Sequence, residues 1–191
     1  MTTSADPTVS GTLKSHAKIL GIALAAMYIM FIATWLTHGA LLSLGVVPRT
    51  LLGLRGLLFA PFLHASLAHL LANSIPFAIL GWLVMLRDSR HFTFVTVAAM
   101  IASGGLAWLI GASGSVHVGA SGVVFGYLGF LIFSGWYARS LGSIVLSILA
   151  VVFWGGLIFG VLPGHPGISW QAHLGGFIGG VYSARRFRLA A

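Results

Sequence analysis

The stretch "HVGASGVVFGYLGFLIF", residues His117 to Phe133, places a serine between glycines at the start of a long apolar run. Gly119 lies two positions before Ser121, and Gly122 follows it directly. Such glycines remove the side chains that would crowd a substrate, as around the exposed nucleophile of soluble serine hydrolases. The residues after Ser121 are apolar enough for a membrane-spanning helix. The stretch therefore predicts a nucleophilic serine at the mouth of a transmembrane helix.

The composition of the whole chain is that of an integral membrane protein. Of its 191 residues, 58% are hydrophobic and 6% are charged, whereas a soluble domain has roughly 25% charged residues. The net charge of +8 comes from short basic clusters between apolar runs, which favours a role in membrane topology over nucleic-acid binding. The chain has no cysteine, so disulfides and thiolate metal sites are excluded.

Six segments have the length and apolarity of a transmembrane helix, which needs roughly 20 residues. They are Ile19 to Thr37, His69 to Leu86, Phe92 to Ile110, Gly119 to Ala138, Leu141 to Leu162, and Trp170 to Phe187. The first is longer than the apolar core of a signal peptide, so we interpret it as an uncleaved helix. The sequence thus predicts an all-α, polytopic six-helix bundle in one membrane domain, residues 19–188. Residues 1–18 form a cytoplasmic leader in this interpretation, and residues 189–191 a tail.

The basic residues predict the orientation of the bundle, because positive charge accumulates in cytoplasmic loops. An internal N-terminus leaves only Arg49 and Arg55 outside. All the others then lie inside: Lys14, Lys18, Arg87, Arg90, Arg139, Arg185, Arg186 and Arg188. We therefore expect both termini in the cytoplasm.

The connection between the first two spans, residues 38–68, is leucine-rich but interrupted by glycines and prolines. It is too apolar for a solvated loop and too interrupted for a seventh span. We expect it to lie at the outer face of the bilayer, in the interface between lipid and water, with Arg49 and Arg55 extending to the lipid headgroups.

Four polar side chains share one level near the outer ends of three predicted helices. They are Ser121, His173, and the pair His69 and Asn73, which are four residues apart and so face the same way. Polar groups inside a membrane are costly and usually functional. Their shared depth indicates one site near the outer surface, where water can reach it.

Glycines provide a means of bringing the fourth and sixth helices together. Gly122 and Gly126 have the small-x-x-x-small spacing, and so have Gly176 and Gly180. Such ridges allow close backbone contact between membrane helices, and here that contact would place Ser121 beside His173. The alternative is that these glycines serve packing alone.

The chain lacks the carboxylates that other hydrolytic mechanisms require. It has no glutamate, and its two aspartates, Asp6 and Asp88, lie on the predicted inner side. A Ser-His-Asp triad, a paired-aspartate protease and an H-E-x-x-H zinc protease are therefore excluded. Catalysis would rely on a dyad of Ser121 and His173, with the histidine held by packing. The Ser121 backbone N–H and the side chains of His69 and Asn73 are candidate donors to an oxyanion.

Two other functions remain as alternatives at this point. His64, His69 and His173 could in principle hold zinc with an open fourth position, but that would leave Asn73 and the glycine-flanked Ser121 without a role. A solute transporter would place ionisable residues along a path through the bilayer, whereas here they cluster near one face.

Three stretches together resemble the rhomboid family of intramembrane serine proteases, in its compact six-helix bacterial form. They are "APFLHASLAHLLAN" (60–73), "GASGVVFGYLGF" (119–130) and "QAHLGGFIGG" (171–180). The resemblance implies that Ser121 is the nucleophile and His173 the general base. It also implies that His69, Asn73 and a backbone N–H beside the serine, such as that of Ala120, stabilise the oxyanion. We expect supporting roles for His64, Gly119, Gly122, Phe125, Gly176 and Gly180.

The resemblance further implies single-span membrane proteins as substrates and the lipid bilayer as the environment, with no cofactor, metal or nucleic acid. Two departures stand out. A Trp-Arg pair common in the first loop of the family is replaced by "LRG" at 54–56, and Phe125 stands where some relatives have tyrosine. A non-catalytic rhomboid-like protein that binds transmembrane helices is the alternative within this resemblance.

Overall fold

The structure is a computed structural model that describes residues 9–87, 89–164 and 167–188. The secondary structure of these residues is helical, apart from one isolated β-bridge between Val46 and His117. The predicted all-α class is confirmed. Six long helices occur in the described ranges: α1 (Val9–Leu36), α2 (Leu67–Arg87), α3 (Ser89–Ile110), α4 (Ser121–Ala138), α5 (Leu141–Trp154) and α6 (Trp170–Arg188).

Helix α1 begins well before the predicted start of the first span at Ile19. Residues 9–18, assigned to the leader, continue the helix toward its N-terminus. The reason is packing: His16 is buried and its ring meets that of Trp82 on α2 edge to face, with centroids 5.7 Å apart. Hydropathy does not predict that the helix includes residues 9–18, because Ser15 and Lys18 beside His16 are polar and exposed.

Helix α5 ends at Trp154, earlier than the predicted Leu162. The chain continues as a 3₁₀ segment over Gly155–Val161. Two glycines at its start, Gly155 and Gly156, lower the preference for α-helix. The tighter 3₁₀ winding changes which backbone groups face the bundle. Together, Leu141–Val161 is still long and apolar enough to cross a membrane.

Five helical segments of the described chain are apolar and long enough to span a membrane, and α6 is not among them. Polar residues such as Gln171, His173 and Arg185 lower its apolarity. Packing nevertheless makes it a core helix: a Cβ on Gly175 or Gly179 would collide with backbone carbonyls of α3. Gly176 and Gly180 of α6 pack as closely on α4. A helix packed closely against two others needs fewer lipid-compatible side chains, so α6 completes the membrane bundle.

Helix α4 occupies the centre of the bundle. Every residue from Gly122 to Leu131 is buried, including Tyr127, whose hydroxyl lies 2.8 Å from the hydroxyl of Thr96 on α3. The N-terminal part of α4 is thereby fixed by its neighbours. Ser121 is the first residue of α4, so its backbone is held in place directly before this buried run.

The loop between α1 and α2 consists of short helical turns, and it exposes Leu51, Leu52 and Leu58. The expectation that Arg49 and Arg55 extend to the headgroups stays a prediction: both side chains are exposed, and both also bind the protein. The Arg49 guanidinium donates to the carbonyls of Leu109 and Gly111 at the C-terminal end of α3, at 3.1 and 2.8 Å. Terminal carbonyls of a helix lack partners within it, so an arginine satisfies them well. Arg55 likewise donates to the Ser43 carbonyl at 3.1 Å.

Candidate active site

The N-terminal ends of α4 and α6 lie side by side because glycines allow close backbone contact. A Cβ on Gly176 would collide with the carbonyl of Gly122, and one on Gly180 with the carbonyl of Gly126. These are the two small-x-x-x-small ridges of the sequence, facing each other. Ser121 begins α4, and His173 lies in the first turn of α6, so the contact brings these two side chains together.

The side chains of Ser121 and His173 form a direct hydrogen bond. Ser121 Oγ lies 2.7 Å from His173 Nε2, and His173 Nδ1 lies 2.9 Å from the carbonyl oxygen of Gly160. A carbonyl can only accept, so Nδ1 carries the hydrogen, and Nε2 is left to accept from the serine hydroxyl. The imidazole is thus held in the tautomer that can remove the proton of Ser121.

The Gly160 carbonyl was missed by the sequence analysis, which had His173 held by packing alone. It lies in the 3₁₀ segment after α5, and a backbone acceptor leaves no mark in a sequence. Gly160 also has to be small. A Cβ there would come within 2.9 Å of Phe125 Cζ and 3.1 Å of His173 Nδ1.

Phe125 packs its ring flat against the imidazole of His173. The ring centroids are 4.1 Å apart and the planes are inclined by 13°. Phe125 is one turn after Ser121 on α4 and is itself buried. The stack and the bond to Gly160 restrict the ring of His173 in two different directions.

His69 and Asn73 lie on α2 across from the nucleophile. A Cβ on Gly119 would be 2.6 Å from His69 Nε2 and 3.7 Å from Asn73 Nδ2, and Gly119 has a φ of +116°. Space and backbone conformation thus both require glycine there. Asn73 Nδ2 donates to the His69 carbonyl at 2.9 Å. An amide nitrogen carries two hydrogens, so a second one remains for another acceptor.

His64 and Ala120 contact each other behind the serine. The Ala120 N–H donates to His64 Nε2 over a long 3.4 Å, and His64 is fully buried. Burial, reinforced by the nearby His69, lowers the pKa of His64 to about 4. His64 is therefore a neutral acceptor at pH 7. The N–H expected of Ala120 in an oxyanion hole is directed to His64 instead.

A cavity of about 930 Å³ opens onto Ser121, His173, His69 and Asn73. Its wall on α3 is made of residues that the sequence analysis did not single out: Met100 and the small residues Ser103, Gly104 and Ala107. A cavity with a few polar groups at one place in an otherwise apolar lining is typical of a binding site.

The zinc alternative has little support in this geometry. The described residues contain no group of three or more His, Cys, Asp or Glu side chains placed to hold a metal. Both ring nitrogens of His173 are occupied by Ser121 and Gly160, and His64 Nε2 faces the Ala120 N–H. The two aspartates, Asp6 and Asp88, lie outside the described residues.

Comparison with known proteins decides the family. The family model described as "Rhomboid domain" matches residues 51–188. The chain belongs to the rhomboid family. An uncharacterized protein of Mycobacterium tuberculosis is 38% identical over 168 residues, which is 84% of this chain and 70% of that protein. RHOMBOID-like protein 4 of Arabidopsis thaliana is 35% identical over 65% of this chain and 32% of its own length. A putative rhomboid protein of Acanthamoeba polyphaga mimivirus is 33% identical over 64% and 69%, respectively.

The matched region of this rhomboid chain includes all five long helices from α2 to α6 and most of the first loop. The resemblance inferred from the three sequence stretches is thereby confirmed at the level of the family. Family membership, the all-α bundle and its long apolar helices together identify an integral membrane protein. It is an intramembrane protease or a rhomboid-like protein.

Proposed function

We propose that this rhomboid is an intramembrane serine endopeptidase whose nucleophile is Ser121 and whose general base is His173. The observation that carries the proposal is the 2.7 Å contact between Ser121 Oγ and His173 Nε2, combined with the 2.9 Å contact between His173 Nδ1 and Gly160. A nucleophile, a base and a group that orients the base are the parts that a serine hydrolase needs.

The proton movements follow from the tautomer. His173 Nε2 takes the proton of Ser121 as Oγ attacks the carbonyl carbon of the scissile peptide bond. The resulting imidazolium then gives this proton to the leaving amine as the carbon–nitrogen bond breaks, which leaves an acyl-enzyme on Ser121. A water molecule attacks the ester, His173 Nε2 accepts its proton, and the acid product departs as that proton returns to Ser121.

In this chain the backbone carbonyl of Gly160 takes the orienting role that a carboxylate has in a triad. A carbonyl fixes the tautomer as a carboxylate does, but it contributes less stabilisation to the imidazolium because it carries only a partial charge. The proposed dyad therefore depends on geometry more than on charge. Small displacements of His173 should therefore lower the rate of cleavage strongly.

The oxyanion would be stabilised by His69, by the second amide hydrogen of Asn73, and by the backbone N–H of Ser121. The first two side chains face the cavity across Gly119, and the third belongs to the first turn of α4, where backbone N–H groups lack partners within the helix. We do not assign the Ala120 N–H to this role, because it is directed to His64.

The substrates we propose are single-span membrane proteins, cut in or near their transmembrane segment. The cavity opens near the N-terminal ends of α4 and α6, which lie outside if both termini of this chain are cytoplasmic, as the basic residues predict. A substrate helix must unwind locally to present a peptide bond, so small or helix-breaking residues should favour cleavage. We propose the inner membrane of a bacterium as the location.

Reconstituted cleavage tests the proposal. Wild type, Ser121→Ala and His173→Ala are incubated in liposomes with a single-span reporter, and circular dichroism verifies that each variant is folded. We expect cleavage by wild type and a loss of roughly a thousandfold or more in both variants. Cleavage that survives in a folded Ser121→Ala protein contradicts the proposal. A wild type that binds the reporter without cutting it would support the non-catalytic alternative.

A further inference from the structure

A second histidine connects the loop before α4 to the first residues of α6. His117 Nδ1 lies 2.6 Å from Ser169 Oγ, and His117 Nε2 lies 2.9 Å from Ser115 Oγ. Ser169 is the residue directly before α6, and His173 follows it by one helical turn. All three residues of this chain of hydrogen bonds line the cavity that contains Ser121.

The direction of each hydrogen bond can be worked out from its neighbours. The Ser115 hydroxyl donates to the Ala112 carbonyl at 2.6 Å, so its oxygen can only accept from His117 Nε2. Nε2 therefore carries the ring hydrogen, and Nδ1 accepts from the Ser169 hydroxyl. Burial, which lowers the pKa of His117, favours this neutral form.

Ser169 in turn caps α6. Its oxygen accepts the Ala172 backbone N–H at 3.3 Å, and its carbonyl accepts the His173 N–H at 3.1 Å. An N-cap serine satisfies N–H groups that have no partner within the helix, and it fixes where the helix begins. A contact that fixes Ser169 therefore also fixes the first turn of α6, which contains His173.

His117 is itself firmly fixed. Its backbone pairs with Val46 through two hydrogen bonds of 2.9 Å. Its ring leaves no room for a side chain at Gly111, where a Cβ would be 2.6 Å from His117 Nε2. The loop from 111 to 120 continues directly into Ser121. The backbone of His117 is therefore fixed in the loop that leads to Ser121, and its side chain contacts Ser169 at the start of the helix that carries His173.

We propose that His117 is a positioning residue, which through Ser169 sets the start of α6 and thereby the alignment of His173 with Ser121. This inference rests on the proposed function for its effect on catalysis, although the hold on α6 can be measured without it. His117 would not touch the substrate's reacting atoms. Its loss should lower kcat, because the dyad is misaligned, and leave KM nearly unchanged.

Two conservative variants separate the two bonds of the ring. The side-chain oxygen of His117→Asn can occupy the place of Nδ1 and accept from Ser169, whereas the amide of His117→Gln reaches the place of Nε2 and meets Ser115. The variants are matched in polarity and differ in which bond they keep. We expect His117→Asn to retain kcat within about threefold and His117→Gln to lose about tenfold, as for one lost hydrogen bond.

The test measures kcat and KM on the reporter, and also amide hydrogen exchange in the peptide that covers the first turn of α6, with the full-length protein in liposomes. We expect exchange there to be about fivefold faster in His117→Gln than in wild type and near wild type in His117→Asn. Equal exchange and equal kcat in the two variants would overturn the inference, as would an effect on KM alone. If wild type does not cleave, the proposed function fails, and the exchange rates alone then decide whether His117 holds α6.

Discussion

Helices α5 and α6 are opposites in composition and in packing. Helix α5 is strongly apolar and exposes much of its surface, including Leu141, Val152 and Phe153. Helix α6, although predicted as a span from the sequence, is less apolar than the five segments that are apolar enough to cross a membrane. It nevertheless packs on α3 and α4 so closely that its four glycines, at 175, 176, 179 and 180, have no room for a Cβ.

The difference shows that the apolarity of a helix in this chain does not measure its importance to the packing of the bundle. Lipid tails are as apolar as leucine, so helices in a membrane gain nothing by exchanging lipid for leucine and gain much by close packing. The helix that carries the proposed base is therefore rich in small residues. The apolar α5 is continued by the 3₁₀ segment Gly155–Val161, which contributes Leu157 to the cavity wall and the Gly160 carbonyl to His173.

The largest effect should come from adding a methyl group to the seam between α4 and α6. Gly176→Ala places a Cβ against the Gly122 carbonyl, and we expect it to cost at least about 2 kcal/mol of stability and to abolish cleavage. Gly142→Ala, on α5, meets nothing within 4 Å. It should leave activity intact and, by helix propensity, raise stability by up to about 1 kcal/mol. The melting temperatures of the two variants in detergent are compared. Similar values would contradict the claim that α6 is packed more tightly than α5.

The next effect concerns the contact between His173 and the 3₁₀ segment that follows α5. Gly160→Ala should displace His173 and lower kcat roughly a hundredfold, as expected for a shift of about 1 Å in a catalytic group. Gly156→Ala is the matched control, because it lies in the same 3₁₀ segment and its Cβ would meet nothing within 4 Å. Equal kcat values for the two variants would mean that the Gly160 contact has no part in orienting His173.

A smaller effect is expected from the ring that stacks on His173. Phe125→Leu keeps an apolar side chain but removes the flat face, and we expect kcat to fall about three- to tenfold, the value of an aromatic pair. Phe133→Leu is made on the same helix, where the ring of Phe133 contacts the rings of Tyr137 and Phe177 at centroid distances of 6.2 Å. That variant should have wild-type kcat. A fall of the same size in both would indicate a general loss of α4 packing.

The smallest effect at neutral pH concerns His64. Its pKa is lowered to about 4 in the folded protein and is about 6.5 when unfolded. The unfolded state thus binds more protons between these values, and the stability that neutral His64 contributes is lost as pH falls from about 6.5 to about 4, by up to about 3 kcal/mol. His64→Gln should flatten this slope in chemical unfolding, with little change at pH 7. His38→Gln, at an exposed histidine, is the control for the substitution itself.

Much of this arrangement could be predicted from spacing alone. Gly122, Gly126, Gly176 and Gly180 were expected to form facing ridges, and the structure has them in contact. What could not be predicted depends on backbone groups and on tertiary contacts. The Gly160 carbonyl reaches His173 only because the chain changes from α to 3₁₀ winding. Arg49 binds α3 through carbonyls 60 and 62 positions away, and no local pattern encodes such a distance.

The identities of the polar side chains were informative because polar groups inside a membrane are costly and usually functional. Ser121, His173, His69 and Asn73 were chosen for their shared depth, and the structure places all four around one cavity. His117 was not chosen, because it lies in a loop where a histidine is unremarkable. Its contact with Ser169 joins residues 52 positions apart and becomes visible only in the folded chain.

The most direct test of the account is covalent labelling of the serine. Purified wild type, Ser121→Ala and His173→Ala are treated with a fluorophosphonate, and the modified residue is located by mass spectrometry. Because the reagent reacts with an activated serine whether or not a substrate is known, the account predicts a label on Ser121 in wild type, none at that position in Ser121→Ala, and a strongly reduced rate in His173→Ala. A folded wild type without label at Ser121, or one that reacts no faster than His173→Ala, would contradict the central claim.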